Sequence, residues 1–271
     1  MLPAHQEEAH IGRCLDAVRD QKLPDNVAVQ LVIVANGCTD RTAEIARSRI
    51  AGLQAAGWHV VLLETPQGGK IHALNLGDRN AQGDMRLYLD ADIVVGPGMI
   101  AGLLGVLSQP GARYAGARLT VPPARSAFSR AYARFWQRLP LVASGVTGAG
   151  LFAVNAEGRA RWTTFPQVIA DDLYVRLLFA PEERHLVDIA YEWPITEGFR
   201  RLVRVRRRQD AGTAEVLRLF PELSVNNRGD RPSLRQVLRI GRAEPAGFMA
   251  YALVAIAVRM GQKSASLERG R

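Results

Sequence analysis

Cysteine is scarce: the 271 residues hold two, Cys14 and Cys38. That count excludes a disulfide framework and fits a reducing compartment. Long hydrophobic runs are missing as well. No uncharged apolar stretch reaches the ~20 residues of a membrane-spanning helix. Met1-Leu2-Pro3-Ala4-His5 opens the chain without a long apolar run, so no secretory leader is expected and the expected location is cytoplasmic. Internal repeats and low-complexity tracts are absent. Acidic residues are the minority, 26 Asp plus Glu against 35 Lys plus Arg, for a formal net charge of +9. Such a surplus suits a polyanion, an anionic membrane face or a diphosphate substrate. With 48% hydrophobic and 23% charged residues the chain is globular. Its length fits one large domain, or one domain with an appendage.

The stretch Arg86-Leu87-Tyr88-Leu89-Asp90-Ala91-Asp92 reads as a short buried strand ending in two carboxylates. Asp at the carboxyl end of a strand in an open α/β sheet sits where ligands usually bind. One residue apart on a strict strand, Asp90 and Asp92 would point to opposite faces. They converge on one ion only if the strand breaks there. Hard cations such as Mg²⁺ or Mn²⁺ take one or two carboxylates plus phosphate oxygens. A turn with solvated aspartates is the other reading of the same residues.

Around this stretch the pattern alternates. Ile11, Cys14, Leu15 and Val18 recur at helical spacing, 29–35 is a strand, and Thr39 or Asp40 can cap the helix after it. Residues 58–63 form the next strand, and Gly68-Gly69-Lys70 leads into a helix. A helix from Pro97, a strand at 113–121, a helix at 125–138 with Arg130, Arg134 and Arg138 along one side, and strands at 151–154 and 185–191 follow. Asp171-Asp172 opens another helix. Alternation of this kind predicts an α/β fold with a mostly parallel central sheet covered by helices on both faces. After about residue 195 the pattern becomes helical, and six of the nine residues from Arg200 to Arg208 are arginine. The predicted division is therefore a core at 1–195 and an Arg-rich helical appendage at 196–271. Residues 246–260 are apolar and flanked by Arg242, Arg259 and Lys263. They can pack as core or lie in a membrane interface.

Several motifs in order resemble the family 2 glycosyltransferases, whose nucleotide-sugar-binding fold is called GT-A. Pro3-Ala4-His5-Gln6-Glu7-Glu8 resembles P-x-x-N-E-E, with Gln6 at the asparagine. Ala35-Asn36-Gly37-Cys38-Thr39-Asp40 resembles D-D-G-S-T-D, with Ala35 and Asn36 for the two aspartates. Gly69-Lys70 through Ala73-Leu74-Asn75 matches G-K-x-x-A-L-N, and Asp90-Ala91-Asp92 matches the metal-binding D-x-D. Gly148-Ala149-Gly150 matches a glycine-rich acceptor loop, and Asp171-Asp172 stands where the family has E-D, whose aspartate is the base. The match covers about residues 3–212. In the family an apolar strand precedes the first motif. Here the sequence starts at that loop, so the first strand is expected to be missing and an extended form to be more stable. The processive synthases carry Q-x-x-R-W; the counterpart here, Val205-Arg206-Arg207-Arg208-Gln209, lacks the tryptophan, which points to single addition.

The resemblance implies a metal-dependent, inverting transfer of one sugar from a nucleotide diphosphate sugar to a hydroxyl acceptor, lipid-linked or a polysaccharide precursor, in cell-envelope or exopolysaccharide synthesis. It implies Asp172, with Asp171, as catalytic, and Ala4, Gln6, Glu7, Asn36, Lys70, Asp90 and Arg208 as nucleotide-binding. It further implies Gly148, Ala149 and Gly150 at the acceptor, and Asp92, Asp90 and His185 on Mg²⁺ or Mn²⁺. Each residue has a plainer reading. Asp171-Asp172 can be a helix start that favours acids, Lys70 a solvated helix start, Asn36 a turn residue, and His185 a core or surface histidine. The arginines at 200–208 can hold a diphosphate, meet anionic lipid, bind nucleic acid or form a solvated face. Phe199 is the lone aromatic beside them, which counts against nucleic acid. A sugar-phosphate nucleotidyltransferase is the competing enzyme class, but residues 1–20 lack its glycine-rich, arginine-bearing loop. A non-catalytic polyanion- or nucleotide-binding protein is the third reading.

Overall fold

The computed structural model describes residues 1–25, 27–143, 145–227 and 232–269, the stretch 261–269 by its backbone alone, so the side chain of Lys263 lies outside the described residues. Its first half is a parallel βα layer: β1 (Leu2–Ala4), α1 (Ile11–Arg19), β2 (Gln30–Asn36), α2 (Thr42–Ala55), β3 (His59–Thr65) and α3 (Lys70–Asn80). β1 and β3 flank β2, both parallel to it, with Leu2 opposite Ile33 and Ile33 opposite Leu62. The strand expected to be missing is thus present in short form. Leu2, Pro3 and Ala4 serve as the strand as well as the entry to the loop, because their buried, extended backbone finds partners on β2.

The second half begins with β4 (Arg86–Leu89), β5 (Val94–Val95), α4 (Met99–Leu107) and β6 (Tyr114–Thr120). After α5 (Ala127–Trp136) and α6 (Pro140–Ala143) come β7 (Leu151–Val154), α7 (Ala156–Arg159), α8 (Asp171–Leu177) and β8 (Arg184–Glu192). Here the strand order is β4-β7-β6-β8-β5. β6 pairs with β8 in parallel, but β7 inserts between β4 and β6 and runs against both. This half is therefore mixed rather than mostly parallel; apolar periodicity fixes which residues are strand, not which way a strand enters. Leu89 N donates to Met1 O (3.0 Å), which joins the two sheets through β1 and β4.

β2 shows why its sequence is a continuous apolar run. Leu31 and Ile33 enter the core on one side with Leu15, Leu89 and Met99, while Val32 and Val34 enter the other with Leu74, Tyr88 and Phe152. Both faces are covered, so no position alternates to polar. The C-terminal part is α9 (Phe199–Leu219), α10 (Leu234–Ala243) and α11 (Pro245–Arg269). It packs on α5 through Tyr132, Leu202, Val203, Ala250, Val254 and Val258. Arg134 and Arg138, read as a basic stripe, both grip Glu244, at 3.2 and 3.1 Å, and so anchor this part to α5.

Candidate active site

The site forms at the carboxyl edge of β4, where the strand stops at Leu89. The chain turns at once, Ile93 N donating to Asp90 O (3.2 Å). That turn removes the strict alternation that would have sent Asp90 and Asp92 to opposite faces. Asp90 N donates to Gly150 O (2.8 Å), which docks the glycine loop before β7 against the two acids. Gly148 in that loop has φ +74, and a Cβ there would overlap the Tyr114 hydroxyl and lie 3.8 Å from Asp172 O. Glycine is required on both counts.

Lys70 sits at the centre. Its Nζ is 3.0 Å from Asp90 Oδ1 and 3.2 Å from Asp171 Oδ2. Burial alone disfavours the Lys70 cation, but Asp90, Asp171 and Asp172 outweigh it and raise its pKa. Asp171, with 5% of its side chain exposed, is spent on this bridge. Asp172 is half-buried, and its Oδ1 accepts a hydrogen bond from Leu173 N (2.8 Å). Burial raises the carboxyl pKa of both, with Lys70 pulling the other way. Lys70 therefore ties the acids of the D-x-D turn to the acids that open α8.

Asp92 carries uncompensated charge. Burial, then Asp90 and Glu7, push its pKa up to about 7, with His10 opposing. Glu7 is raised by burial and then by Asp90 and Asp40. Asp92 also lines a small open hollow with His10, Arg13, Glu192 and Pro194. Among the described residues no three His, Cys, Asp or Glu side chains form a ready cage for a metal. The donor set still fits a hard divalent ion. Such an ion takes one or two carboxylates and completes its shell with water and phosphate oxygens, and it would offset both the burial and the repulsion from Asp90 and Glu7 that raise the Asp92 pKa.

The residues expected along the nucleotide divide in two. Gln6 and Glu7 lie at the cleft mouth. Gln6 has φ +57, and its Oε1 accepts from Thr39 N (2.8 Å) while its Nε2 donates to Thr39 Oγ1 (2.7 Å), so it pins the 36–40 loop. Asp40, one of the two expected caps, stands one residue before the N-cap Arg41 and accepts from Thr42 N (3.0 Å), the first residue of α2. Asn36, in contrast, is 1% exposed, and its Nδ2 donates to Ala4 O (2.8 Å) while its Oδ1 accepts from Gly69 N (3.0 Å). Its side chain braces β1 and the Gly69 turn and offers no free polar atom to a nucleotide. Ala4 is likewise buried, with its carbonyl taken by Asn36.

His185, expected on the metal, is not brought to the acidic turn. It pairs in register with Ala115, which faces Ala153, which faces Leu87. It is therefore three strand spacings from β4, roughly 14 Å, and level with the start of that strand rather than with its acidic end. Its Nε2 meets Arg113 Nη1 at 3.0 Å. Arg208 is exposed on α9. One turn later Gly212 approaches Ala170 so closely that a Cβ there would stand 3.0 Å from the Ala170 Cβ. Positions four apart share a helix face, so Arg208 is aimed along the face that meets the residue before Asp171.

Residues that sequence reasoning did not single out hold the Gly148-Ala149-Gly150 loop in place. Tyr191 is 1% exposed and its hydroxyl donates to Ala149 O (2.6 Å). Arg176, one turn after Asp172, donates from Nε to Val146 O (2.9 Å). Trp193 lies against the Gly150 side of the loop, Cδ1 3.5 Å from where a Cβ would be, and its half-buried ring packs on half-buried Trp136 at 5.8 Å between centroids. Arg176 at i+4 from a catalytic candidate was a usable signal; the other contacts join residues too distant in the chain to pair by spacing.

The pattern of the family described as Glycosyl transferase family 2 matches residues 1–150. The chain belongs to that family. A curated relative, glycosyltransferase AglE of Haloferax volcanii, is 32% identical over 92 residues, which is 34% of this chain and 29% of the relative's length. Among solved structures, a family 2 chain of this shape is similar to the mannosyltransferase PcManGT of Pyrobaculum calidifontis, described in complex with GDP-Man and Mn²⁺. There the TM-score is 0.58 at 21% identity, covering 98% of this chain and 78% of that one. It is also similar to glucosyl-3-phosphoglycerate synthase of Mycobacterium tuberculosis, described with Mn²⁺, UDP and glucosyl-3-phosphoglycerate. That TM-score is 0.55 at 18% identity, covering 80% and 77%. These likenesses establish a GT-A fold.

Proposed function

We propose that this family 2 member transfers one sugar from a nucleotide diphosphate sugar to a hydroxyl acceptor, with inversion and with a divalent ion. The observation that carries the reading is Lys70, whose Nζ lies 3.0 Å from Asp90 and 3.2 Å from Asp171 and so gathers both acidic pairs into one cleft. Asp172 receives the acceptor's proton as its oxygen bonds to the anomeric carbon. The anomeric carbon's bond to the diphosphate oxygen breaks, and the nucleoside diphosphate leaves with the electron pair. Burial lifts the Asp172 pKa toward the range where a base is most effective. Asp171, held by Lys70, keeps the start of α8 in place. Asp92, with Asp90 beside it, would hold Mg²⁺ or Mn²⁺, which supplies charge neutralisation for the leaving diphosphate. In this reading Arg208, exposed on the helix that meets Ala170, contacts the diphosphate, and Gln6 and Glu7 border the nucleotide.

The acceptor is assigned to the loop of Gly148, Ala149 and Gly150, whose half-buried part, Ala149 and Gly150, is docked against Asp90 by the Asp90 N to Gly150 O hydrogen bond. The Trp193–Trp136 pair beside them offers an apolar face to a sugar ring, which supports a carbohydrate-bearing acceptor such as a polysaccharide precursor. The free cysteines Cys14 and Cys38 and the basic C-terminal surface support a cytoplasmic enzyme at the inner face of a membrane. The test is nucleotide release from a panel of UDP, GDP and dTDP sugars with and without Mn²⁺, followed by the anomeric configuration of any product. A retained configuration, or release equally fast in an Asp172→Asn variant, would overturn the scheme.

A further inference from the structure

We infer that α10 and α11 form a docking surface for an anionic lipid bilayer, a role that goes beyond sugar transfer. The inner side of α11 is core: Gly247, Ala250, Val254 and Val258 are buried against α5 and α9. The opposite side is apolar too. Met249, Leu253 and Ile256 are 59%, 48% and 54% exposed. Their spacing of four and three residues puts them in one narrow stripe along the helix. A helix apolar all round belongs inside a protein or against lipid, and here half of it faces outward. α10 repeats the theme. Leu234 and Leu238 are 73% and 48% exposed, and Arg235, Arg239 and Arg242 run beside them at spacings of four and three.

Charge selects the occupant. From Leu234 to Met260 there are four arginines and one acid, Glu244. That acid is already held by Arg134 and Arg138 at 3.2 and 3.1 Å. Exposed Arg235, Arg239, Arg242 and Arg259 therefore border the apolar stripes, and among the described residues none of them forms an ion pair. Leucine and isoleucine rimmed by arginine match acyl chains beneath phosphate headgroups. No helix among the described residues is long and apolar enough to cross a membrane, so this surface lies on the bilayer rather than through it. A second copy of the chain, equally basic, would set arginine against arginine.

The experiment is flotation of the full chain with phosphatidylcholine vesicles, with or without phosphatidylglycerol. Phosphatidylglycerol is expected to bring the protein into the floating fraction, and Arg235→Gln/Arg239→Gln to weaken that partition by roughly 30-fold, about two surface charges' worth. Leu253→Glu/Ile256→Glu is expected to abolish it. Both sites are exposed, and an unchanged melting temperature for each variant verifies the fold. Equal flotation of wild type and variants, or none by any of them, would overturn the proposal. So would sedimentation showing a wild-type dimer that Leu253→Glu/Ile256→Glu breaks, since the stripe would then be a self-interface. Vesicle binding needs no turnover, so its outcome is separate from that of the transferase assay.

Discussion

The two sides of the cleft are built differently. On the side made by β1, β2 and the start of α3, polar groups are already matched: Gln6 to Thr39, Asn36 to Ala4 and Gly69, Asp40 to Thr42 and Glu8. On the side made by the D-x-D turn, Asp92 stands close to Asp90 and Glu7 with its pKa pushed up to about 7. One side is finished before any ligand arrives, while on the other Lys70 pairs with Asp90 and, among the described residues, no ion pair reaches Asp92. Protein hydrogen bonds shape the first, and in the proposed scheme ligand and ion would complete the second.

Substitutions can break that contrast, and the acidic side should respond most in activity. Asp172→Asn should lower kcat by roughly 10²–10⁴-fold with donor binding intact; a rate within a few-fold of wild type removes it as the base. Asp92→Asn should abolish the extra thermal stability that Mn²⁺ gives in the presence of a matching nucleotide, about 2.7 kcal/mol at a hundredfold excess over Kd. Survival of that response would place the ion elsewhere. On the finished side the cost should fall on folding. Asn36→Leu leaves Gly69 N and Ala4 O without their partner, and urea unfolding should report a loss of about 1–3 kcal/mol per stranded group. Base preference among nucleotides should stay the same in the folded fraction.

The smallest expected effect sharpens the comparison by pH. The Asp92 pKa is about 7 in the folded chain and lies near 3.8 without its surroundings. Between those values the folded state binds the extra proton, so stability should fall as pH rises from about 4 to about 7 and stay lower above it. Mn²⁺ should reverse the loss above pH 7 and do little below pH 5. A melting temperature that climbs through this window with no metal present would contradict the charge imbalance.

Much of this was legible in the residues. Apolar runs such as 29–35 and 86–89 marked strands because both sheet faces are covered, and the glycine and acid motifs came in order. What escaped depended on pairing between distant segments. Nothing local to Leu151–Val154 says that it runs against both neighbours. His185 could not be told from a ligand until its register with Ala115 and Ala153 carried it away from the acidic turn. Asn36 reads through the resemblance as a nucleotide contact and otherwise as a turn residue; its side chain is buried between Ala4 and Gly69. Tyr191 carries no signal of its own, since its hydroxyl matters only once the strand brings it under Ala149.

Gly212 has a further consequence. The long helix that carries it touches Ala170, just before the acid pair, and Glu215 on the same helix accepts a hydrogen bond from Ile169 N (2.7 Å). Near its middle that helix is bolted to α11, where Arg207 donates to Ala257 O (2.8 Å). These contacts link α11 to the residues just before Asp171 and Asp172. If α11 rests on a bilayer and Asp172 takes the proton, as proposed above, a push on α11 would reach that carboxylate through a strut rather than through solvent, and docking and turnover would share one mechanical part.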